Sequence, residues 1–205
     1  MLLTVNPLDI TPNPGSQIER AVIAYLKSHF IAKNLPGLTS DKLNFYFSKD
    51  WASRVPPLID VLAHKSVENP PHSRSEDYQV KITAEGPGTN QPGATNTESN
   101  WLLLNNMIGV VMSALSLVDP NTDPSEGAKV VGSLITAAGR ALAVDASAAT
   151  DPAQVLDAQN NADMANFTCT FSEFKGSQRA EISEGTIWIK ETRNFEMRVC
   201  PSNLD

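Results

Sequence analysis

The chain has 205 residues, of which 41% are hydrophobic and 19% charged, and its formal net charge at pH 7 is −7. This length and composition are typical of one globular domain with a buried core, and they exclude a disordered chain. The negative charge is concentrated in residues 119–165, where seven acidic and two basic residues give a net of −5. An acidic chain of this kind lacks the basic surface with which proteins grip nucleic-acid phosphates.

The first predicted element is a helix that begins near Ser16 and ends before the breaker residues "NLPG" at 34–37. Ser16 and Glu19 have the spacing of a capping box, in which each side chain bonds a free backbone N–H. Helical spacing places one mainly apolar set of side chains on a single face, namely Ile18, Ala21, Val22, Tyr25, Leu26 and His29. We expect this face to be buried, with His29 as a core or edge residue rather than a ligand.

Three strands are predicted next, in the stretches "LNFYFS" (43–48), "PPLIDVLAHKSVE" (56–68) and "DYQVKITAE" (77–85). The first and third alternate, so that one face of each carries the apolar side chains Leu43, Phe45 and Phe47, and Tyr78, Val80, Ile82 and Ala84. The run from Leu58 to Ala63 does not alternate, which indicates burial on both faces. The Gly- and Pro-rich stretch "EGPGTNQPGATNTES" (85–99) predicts a loop without a phosphate-binding motif.

A second helix is predicted in "SNWLLLNNMIGVVMSALSLVD" (99–119), which has no charge between Trp101 and Val118. A membrane span is the alternative, because this length is near the minimum for crossing a bilayer. The polar and small residues gather on one side, opposite an apolar stripe of Leu104, Met107, Ile108, Val111, Met112 and Leu115. This arrangement favours an amphipathic helix that lies on a sheet.

The acidic, alanine-rich segment 119–165 is predicted to be a mostly helical insertion that packs peripherally, with a flexible loop as the alternative. One helix is expected to present Val131, Leu134, Ile135, Ala138, Ala141 and Leu142 on its apolar face. Another is expected to begin in "DPAQVLDAQNNADM" (151–164), with proline at its first position.

The last two predicted strands form an antiparallel hairpin, with a turn expected around Gly176. Phe167, Cys169 and Phe171 alternate in the first strand, and Phe195, Met197 and Val199 alternate in the second. Trp188 is out of phase with Ile187 and Ile189, so both faces of the second strand are expected to be apolar at its start. One face would pack on the helices, and the other would need a cover from the inserted segment or from a neighbouring subunit.

No motif in the sequence declares a reaction. The nucleophile elbow, the zinc-protease helix, the Walker A loop and the dinucleotide fingerprint are all absent from the 205 residues. His29, His64 and His72 have no cysteine or carboxylate at ligand spacing, and Cys169 and Cys200, expected to be reduced thiols, form no metal-type cluster. The sequence therefore predicts neither an enzyme nor a cofactor or metal site, and its first fifteen residues predict no secretory signal.

Four stretches carry a resemblance to a known family: "SQIERAVIAYLKSHF", "VPPLIDVLAHKSVE", "LNNMIGVVMSALSLVD" and "GTIWIKETRNFEMRV". In this order, the chain resembles the tail terminator proteins of long-tailed bacteriophages, also called tail completion proteins. The segment 119–165 departs from the compact pattern of that family. The match lies in the order of the elements, since none of the four stretches is a sharp motif.

The resemblance implies one α+β domain over residues 1–205, with an acidic helical insertion at 119–165. Its mixed, mainly antiparallel sheet of about five strands would be backed by an N-terminal and a central helix, with the insertion before the C-terminal hairpin. The family assembles as a ring, commonly of six copies, which caps the tail tube and presents a face to the head–tail connector. DNA would pass through the ring, and the protein would reside in the virion tail and neck after assembly in the host cytoplasm, with no membrane contact.

Two regions are predicted to lie at subunit or tail-tube contacts. The first is the loop "SKDWASRV" (48–55), where the aromatic Trp51 is flanked by Lys49, Asp50 and Arg54. The second is Trp188. Three other functions remain open from the sequence: a head–tail adaptor or joining protein of the neck, an α+β enzyme or ligand-binding module, and a monomeric cytosolic binding protein.

Overall fold

The computed structural model describes residues 13–33, 43–47, 55–66, 75–87, 97–116, 123–143, 150–152, 155, 160–179 and 188–200. These residues form three α-helices and five β-strands, with one 3₁₀ turn at Ala162–Met164. In chain order the elements are α1 (Pro14–Lys33), β1 (Asn44–Phe47), β2 (Leu58–Lys65), β3 (Glu76–Pro87), α2 (Thr97–Leu115), α3 (Pro124–Arg140), β4 (Thr168–Arg179) and β5 (Trp188–Cys200).

The strands form one mixed sheet in the order β1-β2-β3-β5-β4. β1 runs parallel to β2, and the three other strand pairs are antiparallel. α1 contacts β2, α2 contacts β3, and α3 contacts β4. The predicted α+β class is confirmed, including the helix within the segment before the C-terminal hairpin.

The strand alternation divides the sheet into a helix-covered face and an open face. Side chains on the covered face are almost wholly buried, among them Ile59, Val61, Val80, Ile82, Ala84, Phe195, Met197 and Val199. This confirms the predicted inward face of β3 and of the end of β5. Leu58 and Ile59 are adjacent in β2 and both are 0% exposed, so the predicted burial on both faces holds at the start of that strand; further along, Asp60 and Leu62 on the face of Leu58 are half-buried.

α2 has the predicted stripe. Leu104, Met107 and Val111 are fully buried, whereas Asn105 and Ser113 on the opposite side are exposed. Tyr25 of α1 donates a hydrogen bond from its hydroxyl to the carbonyl oxygen of Ala114, which ties the two helices together. Among the helices that the structure describes, none is long and apolar enough to span a bilayer.

The predicted capping box at the start of α1 is wrong. The helix begins two residues earlier, at Pro14, and the side-chain oxygen of Asn13 accepts hydrogen bonds from the backbone N–H of Gly15 and of Ser16. Proline suits the first helical position because that N–H has no partner within the helix. Glu19 has another role: it is buried, and its Oε1 accepts the backbone N–H of Ala63 at 2.9 Å.

The prediction that the insertion packs peripherally is also wrong for α3. Ala128, Val131 and Ile135 are buried, and the helix contacts both α1 and β4. Two glycines bring α3 close to its neighbours. A Cβ at Gly139 would lie 2.7 Å from Phe167 Cδ1 and 2.9 Å from Ala21 Cβ. α3 is thus part of the helical layer that forms the core.

The predicted hairpin is confirmed, but its turn is not at Gly176. β4 continues through that residue to Arg179, and the link to β5 lies within 180–187, outside the described residues. Gly176 has φ +152°, next to a register shift between Phe174 and Gly176. The glycine permits a β-bulge inside the strand, because a positive φ strains residues that carry a Cβ.

Candidate functional site

The predicted contact residues lie mostly where the structure gives no description. Lys49, Asp50, Trp51 and Arg54 are all outside the described residues. Trp188 is the first residue of β5, where the register pairs it with Pro87, and its side chain is outside the described part. Both contact predictions therefore stay predictions.

The open face of β5 is polar from Lys190 onward. The side chains that alternate with the buried positions are Lys190, Thr192, Asn194, Glu196 and Arg198. They pair across the sheet: Arg198 Nε donates to Asp77 Oδ1 at 2.7 Å, and the hydroxyls of Thr83 and Thr192 are 3.0 Å apart. The expected apolar second face of this strand is thus absent from Lys190 onward, and the side chain of Trp188, on which that expectation rested, lies outside the described residues.

An apolar surface does lie on the outer side of α3. Val130 is 49% exposed and Leu134 41%, and Ala137 and Ala141 are exposed on the same side of the helix. Their spacing of four, three and four residues follows one helical stripe. We call these four residues the α3 surface. Leu134 and Ala141 were predicted to share one apolar face with Val131 and Ile135, and that grouping is wrong, because Val131 and Ile135 are buried and the other two are exposed.

The α3 surface differs from the other exposed apolar side chains in being continuous along one element. Ile31, Val55, Leu102 and Phe174 are also exposed, but they lie on different elements. Scattered single apolar side chains are ordinary on protein surfaces, whereas adjacent ones mark contact sites more often. The charges next to the stripe are already engaged: Lys129 pairs with Glu126 at 2.6 Å, and Arg140 Nε donates to the carbonyl oxygen of Phe167 at 2.8 Å.

The orientation of α3 is fixed at its beginning and by its inner side. Asp123 caps the helix by accepting the backbone N–H of Ser125 at 2.8 Å, and this hydrogen bond holds the pKa of the Asp123 carboxyl below its ordinary value. On the inner side, a Cβ at Gly132 would lie 2.6 Å from Phe171 N. The helix therefore cannot rotate about its axis without backbone collision, and Val130 and Leu134 must face outward.

The chain that follows α3 is tied back to α1 by Arg20. Its guanidinium binds both carboxylate oxygens of Asp163, at 3.0 and 2.5 Å, and it also donates to Asn161 Oδ1 at 2.9 Å. Gln17, which is buried, donates from Nε2 to the carbonyl oxygen of Asp163 at 2.8 Å. A forked contact of this type fixes geometry as well as charge, so the end of the insertion is anchored beside β4.

Several titratable groups of the described residues have structural partners. Glu76 bonds Lys65 at 2.5 Å and the hydroxyl of Tyr78 at 2.8 Å; the bond to Lys65 holds the pKa of Glu76 down, while burial raises the pKa of Tyr78. Burial also raises the pKa of the Cys169 thiol to about 12. Cys169 and Cys200 are free thiols. No group of three or more metal-ligating side chains is found within the described residues.

Glu191 and Arg193 form an ion pair on the helix-covered face of β5. Arg193 Nη1 lies 2.6 Å from Glu191 Oε1, and the two side chains are 14% and 9% exposed. Burying a single charge there would be costly, and pairing the two removes most of that cost.

No protein-family model matches the chain, and no curated protein matches it either. The α3 surface is the feature that sequence reasoning missed. The signal was present in the apolar positions 130, 134, 137 and 141, which follow a helical stripe of their own beside the buried one at 128, 131 and 135. Two adjacent stripes on one short helix predict that one of them faces solvent or a partner.

Proposed function

We propose that this chain is a structural subunit of a long-tailed bacteriophage, a tail terminator whose copies form a ring on the end of the tail tube. The ring stops tube growth and provides the surface to which the head–tail connector attaches. Six copies are expected from the resemblance. The protein resides in the virion at the junction of tail and neck, and its partners are copies of itself, the tail tube protein and the connector.

The observation that carries the proposal is the α3 surface. A ring subunit needs an apolar area that a neighbouring copy covers, and here Val130 and Leu134 provide one on a rigid helix. The stripe is smaller than the roughly 800 Å² per partner of a stable interface, so it forms the apolar centre of a larger contact with a polar rim. The order of elements along the chain supports the same family.

The charge of the insertion suits a passage for DNA. Residues 119–165 carry a net of −5, from seven acidic and two basic residues. An acidic wall repels the phosphate backbone, so DNA would traverse the ring without being held by it.

Electron microscopy of tail tubes tests this function. The tail tube protein of the same genome is polymerised with and without this protein, and tube lengths are compared. We expect short tubes with a ring at one end when the wild-type chain is present. Leu134→Glu should abolish capping, because it places a charge at the centre of the contact, whereas Ser113→Glu, at an exposed position of α2, should cap as wild type does.

Two results would contradict the proposal. One is tubes of unchanged length in the presence of the wild-type chain, above all if the chain binds the head connector instead, which would indicate a neck adaptor. The other is capping by Leu134→Glu at the wild-type level, which would remove the α3 surface from the contact.

A further inference from the structure

β4 is an edge strand, and part of its free edge is occupied by α3. β4 pairs with β5 on one side, and none of the other strands that the structure describes pairs with it. At Cys169, the backbone N–H donates to the hydroxyl oxygen of Thr136 at 2.8 Å, and the carbonyl oxygen lies 2.9 Å from the same hydroxyl. Both polar groups of Cys169 therefore point away from β5, toward the helix. These are the groups that an added strand would use.

Thr136 takes the place of a strand residue. Its hydroxyl accepts the N–H of Cys169, and its single proton is donated either to the carbonyl oxygen of Cys169 or to that of Gly132 at 3.0 Å. Such an approach requires a helix with no side chain at the contact. Gly132 provides it, since a Cβ there would lie 2.7 Å from the carbonyl carbon of Thr170.

Arg140, at the end of α3, binds further polar groups at the beginning of β4. Its Nε donates to the carbonyl oxygen of Phe167 at 2.8 Å, and its Nη2 donates to the hydroxyl of Thr168 at 2.8 Å. α3 thus satisfies polar groups at three successive residues, 167 to 169. A glycine inside a helix costs about 1 kcal/mol relative to alanine, so Gly132 is an unfavourable choice for α3 unless close contact with β4 compensates for it.

Beyond the region that α3 covers, the edge is distorted. The register shifts between Phe174 and Gly176, where Gly176 has φ +152°. Lys175, at this irregularity, pairs with Glu173 and Glu196. A bulge and a lysine at an edge are features that discourage strand addition.

On the opposite side of the sheet, a side chain of α1 likewise bonds an open backbone group of a strand. β1 pairs with β2 as far as Val61, and two residues further on the N–H of Ala63 is accepted by the buried Glu19 of α1. In both places a helix side chain takes a backbone group that the neighbouring strand leaves open. The recurrence at two unrelated positions indicates that edge closure is a feature of this fold.

We propose that α3 keeps the β4 edge closed to pairing with the β4 edge of a second copy of this chain. The occupant is a second copy because every molecule carries the same edge, and two such edges pair antiparallel about a two-fold axis. A protein that assembles into a closed ring must suppress this competing contact, which would extend the sheet instead. The inner side of α3 serves this purpose, and it is independent of the α3 surface on the outer side.

The test uses Thr136→Val, which keeps the size and branching of the side chain and removes the hydroxyl. It is made in a Leu134→Glu background, so that the proposed ring contact does not contribute to association. Sedimentation velocity over a range of concentrations is expected to show dimers of Thr136→Val at concentrations where the background protein is monomeric. Ser133→Ala is the matched control, because it removes an exposed hydroxyl of α3 that bonds Lys129 O.

A second substitution separates edge pairing from general aggregation. Cys169 pairs with Val199 of β5, and Ser177 pairs with Arg193. Val199 and Arg193 are six residues apart, which is an even number, so the N–H of Ser177 points away from β5 as that of Cys169 does. Ser177→Pro therefore blocks the edge without breaking the β4–β5 ladder. We expect Thr136→Val/Ser177→Pro to return to the monomer. Dimers that persist in this double variant, or a Thr136→Val protein that sediments as the control does, would overturn the proposal.

Hydrogen exchange of the wild-type chain gives a readout that does not depend on whether a variant folds. In the wild-type chain the Cys169 amide should be protected although it lies on an edge strand, and Thr136→Val should speed its exchange by about tenfold or more. A wild-type Cys169 amide that exchanges as fast as an exposed edge amide would also overturn the proposal.

Discussion

α2 and α3 lie on the same face of the same sheet, but their outer sides differ. From Asn105 onward, α2 presents polar and small residues to solvent, including Gly109 and Ser113. α3 presents Val130 and Leu134. Over this part, which excludes the exposed Leu102, α2 has one apolar side, whereas α3 has two. This difference supports the proposal that α3, unlike α2, also contacts a neighbouring subunit.

Their glycines differ in the same way. A Cβ at Gly109 of α2 would meet nothing within 4 Å, whereas a Cβ at Gly132 of α3 would meet the backbone of β4 at 2.6 Å. α2 is held by the burial of large side chains such as Leu104 and Met107. α3 is held by backbone proximity and by the hydroxyl of Thr136. α2 thus packs mainly through the volume of its side chains, whereas at Gly132 the backbone of α3 packs directly against the backbone of β4.

The largest expected effect is that of Gly132→Ala. The added methyl group collides with backbone atoms of β4 that cannot move aside, so we expect the free energy of unfolding to fall by about 3 kcal/mol. Gly109→Ala is the matched substitution in α2 and should raise it by up to about 1 kcal/mol, through helix propensity alone. Urea denaturation of both variants measures the difference. Equal effects of the two substitutions would remove the distinction between the helices.

A smaller loss of stability is expected from Arg20→Met. This substitution removes the contact that holds the segment after α3 to α1, and it leaves α3 itself unchanged. The substitution leaves Asp163 without its forked partner, and we expect a loss of about 2 kcal/mol in the free energy of unfolding. Lys27→Met, an exposed position on the same helix, is the control and should have a much smaller effect. If the two variants are equally stable in urea, the contact between α1 and the end of the insertion does not contribute to the free energy of unfolding.

The smallest expected effect is a loss of stability at alkaline pH. It depends on Cys169 of β4, whose backbone α3 contacts with its inner side. Burial raises the pKa of the Cys169 thiol from 9.0 to about 12, so the unfolded chain releases this proton first. Stability should be constant below pH 9 and fall as pH rises toward 12, by about 1.4 kcal/mol for Cys169 at pH 10. Tyr25 and Tyr78, whose pKa values are raised above 10.0, mainly through burial, add to the fall at higher pH.

The control for this titration is Cys169→Ala, in which the decline should begin about one pH unit later, when the tyrosines start to ionise. Cys200→Ala keeps the buried thiol and should keep the early decline. Thermal melts between pH 7 and 11 measure both. An early decline that survives in Cys169→Ala would mean that the thiol beneath α3 is not its source.

The sequence predicted the features that depend on periodicity. The stripe of α2, the inward residues of β3 and β5, and the pairing of the last two strands all follow from apolar spacing, and the structure confirms them. The order of strands in the sheet could not be predicted, because periodicity does not specify which strands become neighbours.

The predictions that failed concern single polar or small residues. Glu19 has the spacing of a capping residue, yet it bonds a strand 44 positions away in sequence. Gly176 resembles a turn glycine but supports a bulge. Leu134 was predicted on one apolar face together with Val131 and Ile135, and the side of α3 that faces inward was decided by Gly132 and Thr136 instead. Long-range contacts of this kind leave no local pattern in the sequence. The interface predictions at Trp51 and Trp188 stay predictions.

The mass of the assembled particle tests the central claim most directly. By light scattering coupled to gel filtration, the wild-type chain should have a mass several times its 22.1 kDa, and Leu134→Glu should have the mass of one chain with an unchanged melting temperature. Ser113→Glu, at an exposed position of α2, should assemble as the wild-type chain does. A wild-type chain that stays at 22.1 kDa over all concentrations, or a Leu134→Glu variant that keeps the assembled mass, would contradict the account.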